Sequence, residues 1–245
     1  MAEPVDQAVI LAAGQGIRLR KDNRDYLKPL YPLFDRPLIS YVMSAFFNHG
    51  VKRFFVVVGF EAEELMPGIK EALPGGAELH FIDNPDWRLS NGVSLLKAHG
   101  HVDGRFFLSM SDHIFDPGMI ASLQRGAGDV ESLYLAVDAK IDTIFDMDDA
   151  TKVKIDNGRI VDIDKKLTEF DAVDTGLFIC PGAIFEHLQA AAAGGDCSLS
   201  DGVRKMAEAG KARFVDIGLS FWQDVDTPEM LSNAEMLLSR WKKLD

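Results

Sequence analysis

Val5-Asp6-Gln7-Ala8-Val9-Ile10-Leu11-Ala12-Ala13-Gly14-Gln15-Gly16 is the stretch that decides the fold. Its apolar run from Val5 to Ala13 reads as a buried strand, and it passes without a break into a Gly14-Gln15-Gly16 loop. Just downstream, residues 37–49 carry apolar pairs at Leu38/Ile39, Val42/Met43 and at Phe46, a helical period. Pro37 suits the first turn of that helix and Gly50 its C-terminal cap. Arg53-Phe54-Phe55-Val56-Val57-Val58 is β-branched and aromatic, as a central strand requires. Strand, helix and strand in that order favour a parallel sheet covered on both faces.

The alternation continues outward. Short strands are predicted at 79–83, 106–110, 132–137, 177–180 and 212–217, and helices at 92–98, 117–125, 181–193 and 228–243. Residues 152–155 and 159–163 flank Asp156-Asn157-Gly158, and Asn-Gly between two strand patterns predicts a β-hairpin. No repeat, low-complexity tract or linker interrupts the chain. The expected fold is α/β, a Rossmann-like three-layer arrangement on a mixed, mainly parallel sheet with a hairpin excursion in its second half. Residues 1–245 are expected to form one domain.

Composition narrows the function. The 245 residues are 47% hydrophobic and 26% charged, with a net charge of −12 and a pI of about 4.9. Nucleic acid is excluded as a partner on that balance, because phosphate-backbone binding needs a cationic face. Cys180 and Cys197 have no metal-type spacing, which predicts a reduced, cytoplasmic protein. The N-terminus lacks the basic region of a signal peptide, and no apolar run approaches the ~20 residues of a membrane span.

Within this acidic chain, Arg18, Arg20, Lys21, Arg24 and Lys28 crowd cations beside the glycine loop. Glycines expose successive N–H groups to phosphate oxygens, and adjacent cations neutralise a triphosphate and its leaving pyrophosphate. A G-x-G alone is equally a tight strand-exit turn, and Arg20, Lys21 and Arg24 read as solvated charges. Lys28 differs, because Pro29-Leu30 ties it to an apolar segment. Leu19 stands where a dinucleotide-binding loop has its third glycine, and no G-K-[ST] follows. Asp112 ends the apolar strand Phe106–Met110 at the sheet edge that faces a ligand crevice. A carboxylate there suits Mg²⁺, or it caps the next turn. Asp224 and Asp226 precede the last helix, where Asp226 reads as its N-cap.

Leu11-Ala12-Ala13-Gly14-Gln15-Gly16-Ile17-Arg18-Leu19, with Lys28-Pro29-Leu30 and Arg36-Pro37-Leu38-Ile39, resembles the nucleotidyltransferases that make NDP-sugars and CDP-alcohols. Ile17 departs from their usual Thr or Ser and forgoes a hydroxyl. The resemblance implies the nucleotide-diphospho-sugar transferase fold, Mg²⁺ held by Asp112 and Asp224, and a triphosphate held by Arg18 and Lys28. It implies nucleotide contacts from Leu11, Ala13, Gly14, Gly16, Asn91, Gly92, Ser94 and Ser111. Asp174 and Lys165 would meet the acceptor, Asp174 through its hydroxyls and Lys165 through its phosphate, although Lys165-Lys166 also reads as a solvated edge.

Ser111-Asp112-His113, Ser90-Asn91-Gly92-Val93-Ser94-Leu95 and Trp222-Gln223-Asp224-Val225-Asp226-Thr227-Pro228-Glu229 are most similar to CTP:inositol-1-phosphate cytidylyltransferases within that family. CTP and inositol 1-phosphate are therefore the expected substrates. Phosphocholine or a hexose 1-phosphate is the alternative acceptor, and a non-catalytic nucleotide sensor the alternative role. The acceptor phosphate is already ionised near neutral pH, so in-line attack at the α-phosphorus needs no general base. Such relatives are often fused to a membrane-embedded CDP-alcohol phosphotransferase, which here would be a separate protein or an absent segment. A homodimer is compatible with the chain.

Overall fold

The computed structural model describes residues 4–20 and 26–241; Lys21 and Arg24 lie outside them. In chain order the strands are β1 (Gln7–Ala12), β2 (Pro32–Leu33), β3 (Arg36–Pro37), β4 (Arg53–Val58), β5 (Glu78–Asp83), β6 (Phe106–Met110), β7 (His113–Phe115), β8 (Leu133–Asp138), β9 (Lys152–Asp156), β10 (Arg159–Asp164), β11 (Ala172–Cys180), β12 (Ala212–Asp216) and β13 (Trp222–Asp224). The helices are α1 (Ile17–Arg20), α2 (Leu38–Asn48), α3 (Ala62–Ala72), α4 (Asn91–Leu96), α5 (Gly118–Gly126), α6 (Ile184–Ala191), α7 (Leu199–Glu208) and α8 (Pro228–Trp241).

β1 is buried at every position because it runs between β4 and β6, parallel to both. β5 extends that parallel group beyond β4. On the other side β11 is antiparallel to β6 and β8, and β12 lies parallel to β8. The start of β11 also pairs with β9, whose partner is β10. The sheet is thus mixed and mainly parallel, and the predicted hairpin is the β9–β10 excursion. Asn157 and Gly158 both adopt positive φ, 47° and 74°, as a two-residue hairpin turn with right-handed strand twist demands.

Period-two alternation sends the strand side chains to two cores. Val9, Leu11, Val57, Leu108 and Phe178 pack under α4, α6 and α7, whereas Ala8, Ile10, Val56, Phe107 and Ile179 pack under α2, α3 and α5. Burial on both faces explains why these strands are continuous apolar runs. A third, smaller core joins Leu19, Leu33, Leu38, Ile114, Val225 and Leu238, fixing α1, the β2–β3 ribbon and α8 to one another. This core positions the opening loop. No helix among the described residues is long and apolar enough to cross a membrane.

Helices α3 and α7 were not expected from the sequence. Pro67 and Gly68 inside α3 mask its period, and the Leu30 side chain packs into the space that Gly68 leaves. α7 announces itself through its cap instead. The Ser198 side chain accepts from the Asp201 amide at 3.1 Å, and the Asp201 carboxylate accepts from the Ser198 amide at 2.7 Å. Ser198→Ala removes one half of that capping box and should cost about 1 kcal/mol. In a chain of this size that lowers the thermal midpoint by about 2–4 °C, to be read by calorimetry.

Candidate active site

The parallel strands β1, β4, β5 and β6 all end at one edge of the sheet, and their exits are stitched together. The Ser111 amide donates to the Leu11 carbonyl at 3.0 Å, and the Phe60 amide to the Ala13 carbonyl at 3.0 Å. Beyond this edge opens a cleft of about 720 Å³. Leu11, Ala13, Gly14, Gly16, Lys28, Asn91, Ser94, Ser111, Asp112, Lys165, Asp174 and Asp224 all line it. Arg18 is not a lining residue and enters through its partners. Gly92 is also not a lining residue; it packs against the backbone of Cys197 and Ser198.

Lys28 sits at the bottom, 8% exposed. Gly16 makes its position possible: at φ +60° and without a side chain, it lets the lysine stem pass where a Cβ would collide with it. The ammonium bridges Asp112 and Asp226. Burial pushes the Lys28 pKa down, but attraction by these two carboxylates outweighs it and the net displacement is upward. Lys28 therefore stays cationic across the neutral range. Burial likewise raises Asp112, and the stronger effects of Lys28 and His113 hold it well below the usual carboxylate range.

His113 donates from Nδ1 to Asp112 at 2.8 Å and stacks on Trp222, ring centroids 6.3 Å apart. Gly176, at φ +72°, leaves the space its ring occupies. Trp222 Nε1 donates to Asp138 at 2.9 Å, which pairs with Lys140 at 2.8 Å. On the outer side, Asp226 accepts from Arg18 at 2.6 Å and Asp149 accepts from Arg18 at 2.9 Å. Asp149 also pairs with Lys165. Outward from Asp112 the paired charges alternate: Asp112, Lys28, Asp226, Arg18, Asp149, Lys165.

Asp226 corrects one sequence expectation. The cap of α8 is Thr227, whose Oγ1 accepts from the Met230 amide at 3.3 Å, and Asp226 turns into the cleft instead. An alternating Asp-x-Asp at a strand end was the available signal, since residues two apart in extended chain face the same way. Asp149 had no comparable signal, because Asp146, Asp148 and Asp149 read alike. Asn91 accepts from the Leu199 amide at 2.8 Å and Asn84 donates to Ser94 at 2.9 Å, so the 84–94 loop is braced against the start of α7.

Asp224 is pushed up by burial and by the negative charges of Asp112 and Asp226. His113 and Lys28 pull Asp224 the other way without cancelling that rise, and the oxygen donors of Asp112 and Asp224 are of the kind that suits Mg²⁺. Among the described residues no group of three or more His, Cys, Asp or Glu forms a metal cage. Mg²⁺ keeps several waters and substrate oxygens and needs no such cage, so Asp112 with Asp224 fits.

The match to known proteins follows this geometry. Residues 8–199 match the MobA-like NTP transferase domain, and the chain belongs to that family of nucleotidyltransferases. It is similar to the bifunctional IPC transferase and DIPP synthase of Rubrobacter xylanophilus, 34% identical over 96% of this chain and 52% of that one. It is similar also to the protein of that name from Thermococcus kodakarensis, 35% identical over 96% and 51%. The chain spans about half the length of the curated relatives it matches. Among solved structures, the inositol-1-phosphate CTP transferase from T. maritima superposes with a TM-score of 0.87 at 28% identity, covering 98% of this chain and 97% of that one.

Asp174 provides a pH test of the site. Burial pushes its carboxyl up to about 6, against an ordinary 3.8, although the Gly176 amide donates to it. The folded state then binds this proton more tightly than the unfolded state, so the associated stability is complete below 3.8 and is lost as pH rises through about 6. Asp174→Asn keeps an acceptor for Gly176 and removes the charge. Its thermal midpoint should exceed that of the unsubstituted protein at pH 8 and converge with it toward pH 3.5. A gain that is uniform with pH would refute the assignment.

Proposed function

We propose that this chain transfers CMP from CTP to inositol 1-phosphate in the presence of Mg²⁺, giving CDP-inositol and pyrophosphate. The observation that carries this reading is the single cleft with two differently built walls. One wall is the glycine loop with Lys28, backed by Arg18 through Asp226, suited to a triphosphate. The other carries Lys165 and Asp174, suited to a phosphorylated polyol. The relatives named above support the cytidylyl donor and the inositol acceptor. Their shared name pairs IPC transferase with DIPP synthase, which supports a second activity working beside this one; in this reading that activity is a membrane CDP-alcohol phosphotransferase, in a separate protein or another segment, with this domain in the cytoplasm.

The chemistry is positioning and charge neutralisation. The acceptor's phosphomonoester is mostly ionised at neutral pH, its second pKa lying near ~6. It attacks the α-phosphorus in line, and the P–O bond to the β-phosphate breaks to release pyrophosphate. Lys28, kept protonated by its two carboxylates, stabilises negative charge and moves no proton. Arg18 has five N–H donors and retains some for phosphate after its bonds to Asp149 and Asp226. Asp174, ionised above pH about 6, accepts from an acceptor hydroxyl. Asp112 and Asp224 would hold Mg²⁺, which supplies further neutralisation of phosphate charge.

Pyrophosphate release, measured with Mg²⁺ across the four NTPs and a panel of phosphorylated acceptors, tests this. Turnover is expected with CTP and inositol 1-phosphate. Lys28→Ala should reduce kcat by at least about 100-fold, the scale of losing one preorganised charge donor. Turnover of UTP or dTTP with a hexose 1-phosphate but not of CTP would move the protein to another substrate pair. No turnover with any pair would leave the nucleotide-sensing role.

A further inference from the structure

We infer that Asp149 is a positioning residue that divides two cations between the two phosphate groups, keeping Arg18 for the nucleotide and Lys165 for the acceptor. This rests on the function proposed above and assigns a role to a residue outside its motifs. Each carboxylate oxygen has one cation: Oδ2 accepts from Arg18 Nη1 at 2.9 Å, and Oδ1 accepts from Lys165 Nζ. Arg18 belongs to α1 beside the opening loop, and Lys165 directly follows β10. The carboxylate therefore lies where the two walls of the cleft meet.

The segment presenting it is itself tied down. The Asp149 amide donates to Asp146 Oδ1 at 3.3 Å, the Ala150 amide to the Asp146 carbonyl at 3.0 Å, and Lys152 Nζ to the Asp148 carbonyl at 3.4 Å. Arg18 and Lys165 are 52% and 55% exposed, so these pairs contribute little to folding. Their consequence is directional. A lysine ammonium on a flexible four-carbon stem is drawn to the greatest nearby negative charge, and a triphosphate carries more than a phosphomonoester. Asp149 holds Lys165 back from it. Both cations still have unused N–H donors, because a guanidinium has five and an ammonium three.

Titration calorimetry on the intact chain with Mg²⁺ tests this, using α,β-methylene-CTP as an unreactive nucleotide and inositol 1-phosphate as the acceptor. Asp149→Asn should bind the nucleotide at least as tightly as the unsubstituted protein. Its nucleotide-loaded form should bind inositol 1-phosphate about tenfold more weakly or worse, while the nucleotide-free form changes by less than about threefold. Asp149→Glu keeps the charge and moves it one methylene outward; it should show the same selective loss, smaller in size. Uniform weakening of every binding step in Asp149→Asn would mean a merely structural role and overturn the proposal. Unchanged acceptor binding to the loaded form in either variant would overturn it too. If the unsubstituted protein binds both ligands and the variants match it, the Asp149 assignment alone fails. If it binds neither, the assignment falls together with the function on which it rests.

Discussion

A buried ammonium between two carboxylates is the constraint around which the cleft is organised. Lys28 lies beneath the opening loop, and Asp112 and Asp226 approach it from the end of β6 and from the approach to α8. Desolvating one charge of such a group without its partners costs several kcal/mol, a large fraction of the ~5–15 kcal/mol that holds a domain folded. The three side chains must therefore be delivered together. The chain does this with the small core of Leu19, Leu33, Leu38, Ile114 and Val225. That core fixes the segments carrying them, and the Val225 amide, donating to the Asp112 carbonyl at 3.0 Å, locks the two acidic segments in register.

Outward from Lys28 the same charge alternation continues with declining burial, and its energetic meaning changes. Lys28 is nearly enclosed, whereas Arg18 is half exposed. The inner pair belongs to the architecture, because breaking it leaves uncompensated charge in a low-dielectric place. The outer pairs are worth little to stability but hold flexible cations in fixed directions. Preorganisation of that kind is how charge stabilisation is obtained without reorganisation during reaction.

Much of this was legible in the sequence, and the reason differs from element to element. The opening strand and its glycine loop were readable because a buried parallel strand is a continuous apolar run and Gly14 and Gly16 mark its exit. The β9–β10 hairpin was readable from Asn157-Gly158, where local turn chemistry decides the geometry. Helix α3 was hidden because it carries the helix-weakening Pro67 and Gly68, the latter packed against Leu30. Helix α7 was missed although Ser198 and Asp201 spell out its capping box. The sequence located both Asp224 and Asp226, but their division of labour depends on which one Lys28 reaches, a long-range fact. Asp149 is of the same kind, since its partners Arg18 and Lys165 lie 131 and 16 residues away.

The topology also divides the labour of the cleft. The wall of the glycine loop and Lys28, the one proposed for the triphosphate, is built at the ends of β1 and β6 and from the segment that follows β1, on the parallel part of the sheet. The opposite wall, the one proposed for the acceptor, comes from the exit of β8, the segment carrying Asp149, the end of β10 and the start of β11, where the sheet turns antiparallel. Because β11 pairs with β6 on one side and β8 on the other, it carries Asp174 and Gly176 to the same edge. Gly176 gives room to His113, which orients Asp112. Changes in the excursion can therefore reshape the acceptor wall while leaving the lysine-centred charge group intact. Among the described residues the two walls are coupled by Gly176 with His113, by Trp222 between His113 and Asp138, and by Asp149 between Arg18 and Lys165, so a shift in one wall is felt in the other.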